Sequence, residues 1–200
     1  MLRSFSRRIS TSIKKVGFVG LGAMGLPMVE NLMAAGYDLK VTDIDKSAVA
    51  AAVAKGASAV SSPAEAANGV DAVITMVPND EVLREVTCNP DTGVLSTLSK
   101  GAHHLSWSTV HPDTSRELAK LHDAAGSSFV GAPIFARADG VAARLASFVV
   151  GGKDSAVEAC LPLMEANSNG IFRFGEDPGA GNVVKLCGNC AHQYSPHPPT

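Results

Sequence analysis

Two hundred residues, 46% of them hydrophobic, describe a chain long enough for one ordinary domain with a sizeable core and too short for two large ones. A formal net charge of −2 gives no general attraction for polyanions, and no apolar run is long enough to cross a bilayer. Glycine is plentiful, with 19 residues, and aromatics are few, which suits an α/β protein of tight strand–helix turns better than an all-β sandwich.

The first fifteen residues, MLRSFSRRISTSIKK, carry Arg3, Arg7, Arg8, Lys14 and Lys15, four serines and no acid. Leu2, Phe5, Ile9 and Ile13 fall on one helical face. Such a leader reads as a mitochondrial transit peptide, placing the mature protein in the matrix, whereas a secretory signal would need a continuous apolar core. A solvated basic tail, or one that touches nucleic acid, is the alternative. Removing those five cations from a net −2 leaves −7 for residues 16–200, a charge that disfavours nucleic acid as a partner.

Residues 16–31, VGFVGLGAMGLPMVEN, show an apolar strand entering a glycine turn and continuing directly into a helix. Gly20 permits the tight turn, Gly22 lets a pyrophosphate approach the backbone, and Gly25 allows close helix–strand packing. The loop of Gly20, Leu21, Gly22, Ala23, Met24 and Gly25 is therefore the expected dinucleotide cradle. The next strand, DLKVTD, ends in Asp43, 23 residues after Gly20, where an acid would bind the adenosine ribose 2′-hydroxyl and repel a 2′-phosphate. NAD is favoured over NADP, which stays possible. Asp43 or Asp45 could instead cap the helix that begins near Lys46.

Strand and helix go on alternating. The second helix ends at Gly56, and Ser62, Pro63 and Glu65 supply cap, first-turn proline and acid for another. Residues 71–77 form an apolar strand stopped by Pro78, followed by a helix from Asn79 to Val86. Residues 103–108 form a strand, and Pro112 opens a helix that stops at Gly126. Residues 128–134 and 147–150 read as two further strands, with a helix from about Ser155 to Met164. This is a Rossmann-type, doubly wound and mostly parallel sheet. Ligands then sit at the carboxyl ends of the strands, where Val77 and Pro78, Ser108 and Thr109, and Ala132 and Pro133 lie. Cys187 and Cys190 make a single CxxC; with no converging ligand set and no βαβ setting for a redox motif, no metal is expected.

The chain resembles the β-hydroxyacid dehydrogenase family, which includes 3-hydroxyisobutyrate dehydrogenase, with 6-phosphogluconate dehydrogenase a more distant relative. The resemblance lies in GFVGLGAMGLPMVENL, in TMVPND, in WSTVHP and in GAGNVVKLCGN, and it covers roughly residues 14–189. It implies hydride transfer between a nicotinamide cofactor and a small 3-hydroxy acid. Lys185 takes the place of the family's catalytic lysine, with Asn189 one turn on; by residue type alone, Lys185 would pass for a surface lysine. Thr109 would help to orient the substrate carboxylate and lie beside the nicotinamide, and Val77 and Pro78 would touch the cofactor.

In the family's Asp-Ala-Pro-x-Ser-Gly-Gly loop this chain has Phe135, Ala136 and Arg137, and Arg144 replaces a further glycine. Substrate contact is expected from Phe135, Ala136, Arg137 and Asn189, with carboxylate recognition moved from backbone to guanidinium unless both arginines face solvent. The reading divides the chain into a leader (1–15), a dinucleotide-binding domain (16–178), the start of an interdomain helix (179–189) and an irregular tail (190–200). The family continues into an all-helical domain, so a truncated binding module with little turnover is one alternative. An NADPH-dependent semialdehyde or imine reductase is another. Relatives form homo-oligomers, an expectation that is doubtful for a chain without that domain.

Overall fold

The computed structural model describes residues 13–193, so most of the basic leader and the last seven residues lie outside the described part. Six strands, β1 (Lys15–Val19), β2 (Asp38–Thr42), β3 (Ser58–Ala59), β4 (Ala72–Thr75), β5 (His103–Ser106) and β6 (Ser128–Gly131), form one sheet in the order β3-β2-β1-β4-β5-β6. Every neighbouring pair is parallel. The helices α1 (Gly25–Ala34), α2 (Lys46–Ala54), α3 (Pro63–Ala67), α4 (Asp80–Cys88) and α5 (Pro112–Ala125) make the crossovers. The order turns back at β1, between β2 and β4, which is where such sheets open a crevice for a ligand.

Local chemistry sets the helix starts. Asp45 caps α2 through the Ser47 amide, Ser62 caps α3 through Glu65, and Asn79 caps α4 through Val82. Each such cap stabilises by about 1 kcal/mol. No side chain caps α1 at Met24.

A second sheet holds β7 (Ile134–Phe135), β8 (Ala146–Val150) and β9 (Ser168–Arg173), with β7 antiparallel and β9 parallel to β8. Helix α6 (Ala138–Ala142) joins β7 to β8, α7 (Asp154–Glu165) joins β8 to β9, and α8 (Ala180–Gln193) follows. Phe18 of β1, Trp107 after β5 and Phe148 of β8 meet edge to face with centroids 5.9 and 5.0 Å apart, so one core spans both sheets. Among the described residues no helix is long and apolar enough to cross a membrane.

Three expectations need correction, and one strand was not foreseen. The leader does not extend to residue 15: Ile13 is buried, the Lys14 and Lys15 amides donate to Asp71 at 2.8 and 2.9 Å, and Lys15 begins β1. Residues 128–134 are two strands, not one. Pro133 cannot donate to a ladder, so the chain leaves the first sheet at Gly131 and pairs again with β8 at Ile134. The irregular tail does not start at residue 190, because nothing before Pro196 forbids helix and α8 runs on to Gln193. Strand β9 was not legible because it buries no side chain fully and so shows no apolar alternation.

Arg144 shows why glycine is usual at its position. It closes α6 with φ +59, while the Leu145 amide reaches back to the Gly140 carbonyl at 2.8 Å, the left-handed helix ending that glycine adopts without a Cβ clash. Arg144→Gly is expected to raise stability by about 1 kcal/mol, or roughly 2–4 °C in Tm. Thermal unfolding of both proteins checks it, and an unchanged or lower Tm would show that the weak Arg144 to Asn31 bond, 3.4 Å long, outweighs the strain.

Candidate functional site

The three glycines of the first turn meet three different steric demands. Gly20 has φ +100, and a Cβ there would stand 2.2 Å from the Met76 carbonyl oxygen, so only glycine lets the turn lie against the exit of β4. At Gly25 a Cβ would stand 2.0 Å from the Gly20 oxygen, which is the close packing of α1 on its own turn. A Cβ on Gly22 would meet nothing within 4 Å, so this residue borders open space. No side chain caps α1, and although the Leu26 amide is given to the Gly22 carbonyl and Pro27 has none to give, the helix N-terminus beside that space suits an anion such as a pyrophosphate.

Asp43 follows β2 and is half-buried. Its carboxylate accepts from the Leu21 amide of the glycine turn and, at 2.8 Å, from Asp45. The capping of α2 falls to Asp45, which leaves Asp43 facing the glycine turn. A cavity of about 260 Å³ opens beside it, lined by Gly20, Gly22, Asp43, Ile44, Val77 and Pro78, with Val82 and Val86 behind. Ile44 is 99% exposed. Its apolar side chain next to a carboxylate offers a shelf for a flat ring, a role the sequence analysis missed although an isoleucine between two aspartates was its visible signal.

A continuous strip of contacts runs from this turn to the lysine. Val77, one residue beyond the Met76 that Gly20 abuts, donates its amide to Ser108 Oγ at 2.8 Å. Two residues on, the Val110 amide donates to Asn182 Oδ1 at 3.0 Å, and Asn182 Nδ2 donates to Ser115 Oγ at 3.1 Å. Asn182 is fully buried in the first turn of α8 and fixes that helix to the loop that carries half-buried Thr109. Sequence reasoning also missed Asn182, a polar residue just ahead of the apolar pair Val183 and Val184.

Lys185 lies one turn further along α8, its Nζ 4.0 Å from the centroid of the Phe135 ring. Desolvation lowers its pKa from the ordinary lysine value, with no charged group contributing. Asn189 is exposed on the following turn, and Ala136 is half-buried beside Phe135. Arg137 stands apart: its side chain is 92% exposed, 4.0 Å from Asp139. The Arg144 guanidinium is directed at Asn31, whose own amide nitrogen holds Val141 and Asn167 at 2.8 and 3.1 Å. Cys187 and Cys190 lie exposed on α8 as free thiols, and among the described residues no three metal-ligating side chains converge.

A family model described as the NAD binding domain of 6-phosphogluconate dehydrogenase matches residues 15–175. The chain is 41% identical to an NAD-dependent L-serine dehydrogenase of Pseudomonas aeruginosa, over 88% of this chain and 59% of that protein. It is 34% identical to the mitochondrial 3-hydroxyisobutyrate dehydrogenase of Mus musculus, over 94% of this chain and 56% of that one. Among solved structures it superimposes on a Mycobacterium tuberculosis 3-hydroxyisobutyrate dehydrogenase with L-serine at a TM-score of 0.83 and 33% identity, covering 88% of this chain and 59% of that chain. It thus spans a little under three fifths of the length of these relatives.

Proposed function

The chain belongs to the family of the NAD-binding domain of 6-phosphogluconate dehydrogenase, and on that premise we propose that it serves the NAD-linked oxidation of a small 3-hydroxy acid, or the reverse reduction. The observation that carries this reading is the strip from Gly20 through Val77, Ser108 and Asn182 to Lys185, which sets a half-buried amine at the same carboxyl edge as the dinucleotide cradle. On this reading residues 13–178 are the dinucleotide-binding unit and α8 brings the proton-transfer group. The acid-free basic leader supports a mitochondrial location.

NAD, when bound, supplies a hydride acceptor at its nicotinamide. The glycine turn and the N-terminus of α1 would hold its pyrophosphate, Asp43 its adenosine ribose and Ile44 one face of its adenine. At Lys185, a pKa lowered by burial keeps a larger share of the amine neutral near physiological pH, so that Nζ can take the hydroxyl proton in oxidation and return it in reduction. Thr109, Phe135, Ala136 and Asn189 would border the substrate, and the exposed Arg137 guanidinium is free to turn toward its carboxylate.

NADH should bind more tightly than NADPH, because a 2′-phosphate would meet the Asp43 carboxylate at short range, a contact costing about 1–3 kcal/mol in a half-buried site. Trp107 is the only tryptophan, so energy transfer from it to the reduced nicotinamide gives a clean titration of both cofactors. Asp43→Ala should narrow the difference to less than about tenfold. Equal affinities in the parent protein would remove the ribose role from Asp43. Production of NADH from NAD with L-serine or 3-hydroxyisobutyrate would then test the hydroxy-acid reading, and binding of NADH without turnover on any small 3-hydroxy acid would refute it.

A further inference from the structure

One contact in the site does more than line it. Helix α8 touches the rest of the molecule through residues spaced along a single face: Gly181, Asn182, Lys185 and Gly188. At Gly181 a Cβ would stand 2.2 Å from the Val149 oxygen, so the first turn of the helix lies directly on β8. Asn182 fastens the same turn to Val110 and Ser115. Two turns later the contact on that face comes from β7. The ring of Phe135, carried on β7 opposite Ser147, lies so close to Gly188 that a Cβ there would stand 2.6 Å from Cζ and 2.8 Å from Cε1. The same ring sits 4.0 Å beneath the Lys185 ammonium.

We propose that Phe135 is a positioning residue for Lys185: its ring, seated in the notch that Gly188 leaves on α8, holds the ammonium at one place and keeps water from one of its sides. This rests on the reading of Lys185 as the proton-transfer group. The physics is that of a cation over an aromatic face, where the ring's negative π-surface attracts the charge while its bulk removes solvent. A long, flexible lysine side chain otherwise samples many rotamers, and a ring fixed in a strand pair selects one of them. Glycine at 188 is what the seat requires. Any side chain there must push an aromatic ring aside, and the ring is the only part of Phe135 that reaches Lys185. Phe135 and Gly188 are therefore one device built from two residues far apart in sequence.

The test reads Lys185 without reading turnover. The full chain is labelled with an amine-selective acylating reagent over a range of pH, and modification of Lys185 is followed by mass spectrometry. Phe135→Leu keeps the apolar cover and loses the π-surface, so the midpoint for Lys185 should fall by about half a pH unit, while Phe135→Tyr should restore it. Gly188→Ala should displace the ring and speed Lys185 labelling severalfold at a fixed pH, and this gain should vanish when Gly188→Ala is added to Phe135→Ala, since the ring is then already gone. An unchanged midpoint in Phe135→Leu, or additive effects of the 188 and 135 substitutions, overturns the proposal. Should Phe135→Leu fail to fold, the comparison of Gly188→Ala with the double variant decides alone. If labelling behaves as stated while Lys185→Ala retains full dehydrogenase activity, the acid–base reading fails and the seat stands.

Discussion

Lys185→Ala is expected to leave NADH binding nearly unchanged and to lower the rate of hydroxy-acid oxidation by about 10²–10⁴-fold, the usual contribution of a positioned general acid or base. The binding half follows from geometry. The glycine turn, Asp43 and the Ile44 shelf belong to the first sheet and α1, whereas Lys185, on α8, touches Phe135 of β7, so truncating it removes no contact of the cradle. The rate half follows from the engagement of the described histidines elsewhere: His104 and His122 are buried against each other, His103 begins β5 and meets Ser128, and His111 Nδ1 accepts from the Asp113 amide. Lys185→Arg sharpens the test. An arginine keeps the charge and the aromatic contact but cannot release its proton, so it should be as inactive as alanine. A lysine that merely pairs its charge with substrate would tolerate that change. Retention of more than about a tenth of the parent rate by the arginine variant would thus move the proton transfer elsewhere.

The glycine turn was legible in the sequence because its demands are steric and local. Gly20 and Gly25 had to be glycine for reasons that turn on a few neighbouring backbone atoms, Gly22 borders open space, and Asp43 stands at a fixed distance from them along the chain. The parallel order of the first sheet followed from alternation of strand and helix. The second sheet was less legible, since β9 buries nothing completely and β7 is two residues long. What periodicity could not reveal was contact between distant residues. That Asn182 would fasten α8 to Val110, or that Phe135 would rest on Gly188, depends on where β7 and α8 come to lie, and no spacing in the chain encodes it. Arg137 and Arg144 show the same limit from the other side. Both stand where the resembling loop has glycine, and only the structure shows that the Arg137 side chain is exposed and that Arg144 is directed at Asn31.

Acid should begin to destabilise this protein well above the pH at which its carboxylates are protonated, because of a hydrogen-bonded chain buried behind the first sheet. Thr75 Oγ1 meets His104 Nε2 at 3.0 Å, His104 Nδ1 meets His122 Nε2 at 2.9 Å, and His122 Nδ1 meets Ser127 Oγ at 2.8 Å. Two neutral imidazoles satisfy this chain by each donating once and accepting once, so a proton added at the nitrogen that accepts between the rings would place two donors against each other, and a proton on either ring puts a charge in a dry site. Burial accordingly pushes His122 down to about 4 and His104 well below 6.5, with the His122 ring adding to the effect on His104 and Asp123 opposing it slightly at His122. Both folded-state values are depressed, so above 6.5 the residues are neutral in either state and affect stability little. As pH falls below 6.5 the unfolded chain binds protons that the native state refuses, and unfolding becomes steadily easier. From 6.5 to about 4, His122 alone should lower stability by about 3 kcal/mol, a large share of the roughly 5–15 kcal/mol that holds an ordinary domain. The carboxylates held low by their bonds, among them Asp71, Asp80 and Asp177, withdraw their own stabilisation only below their ordinary value of 3.8. Urea unfolding followed through Trp107 between pH 7 and 4.5 therefore isolates the histidines, to which His103, also lowered by burial, adds a share of the same sign. A slope of stability against pH that is flat in this window would mean that the pair shares a proton in the native state, and His122→Gln, which should lower stability at pH 7 and roughly halve the slope, identifies which ring is responsible.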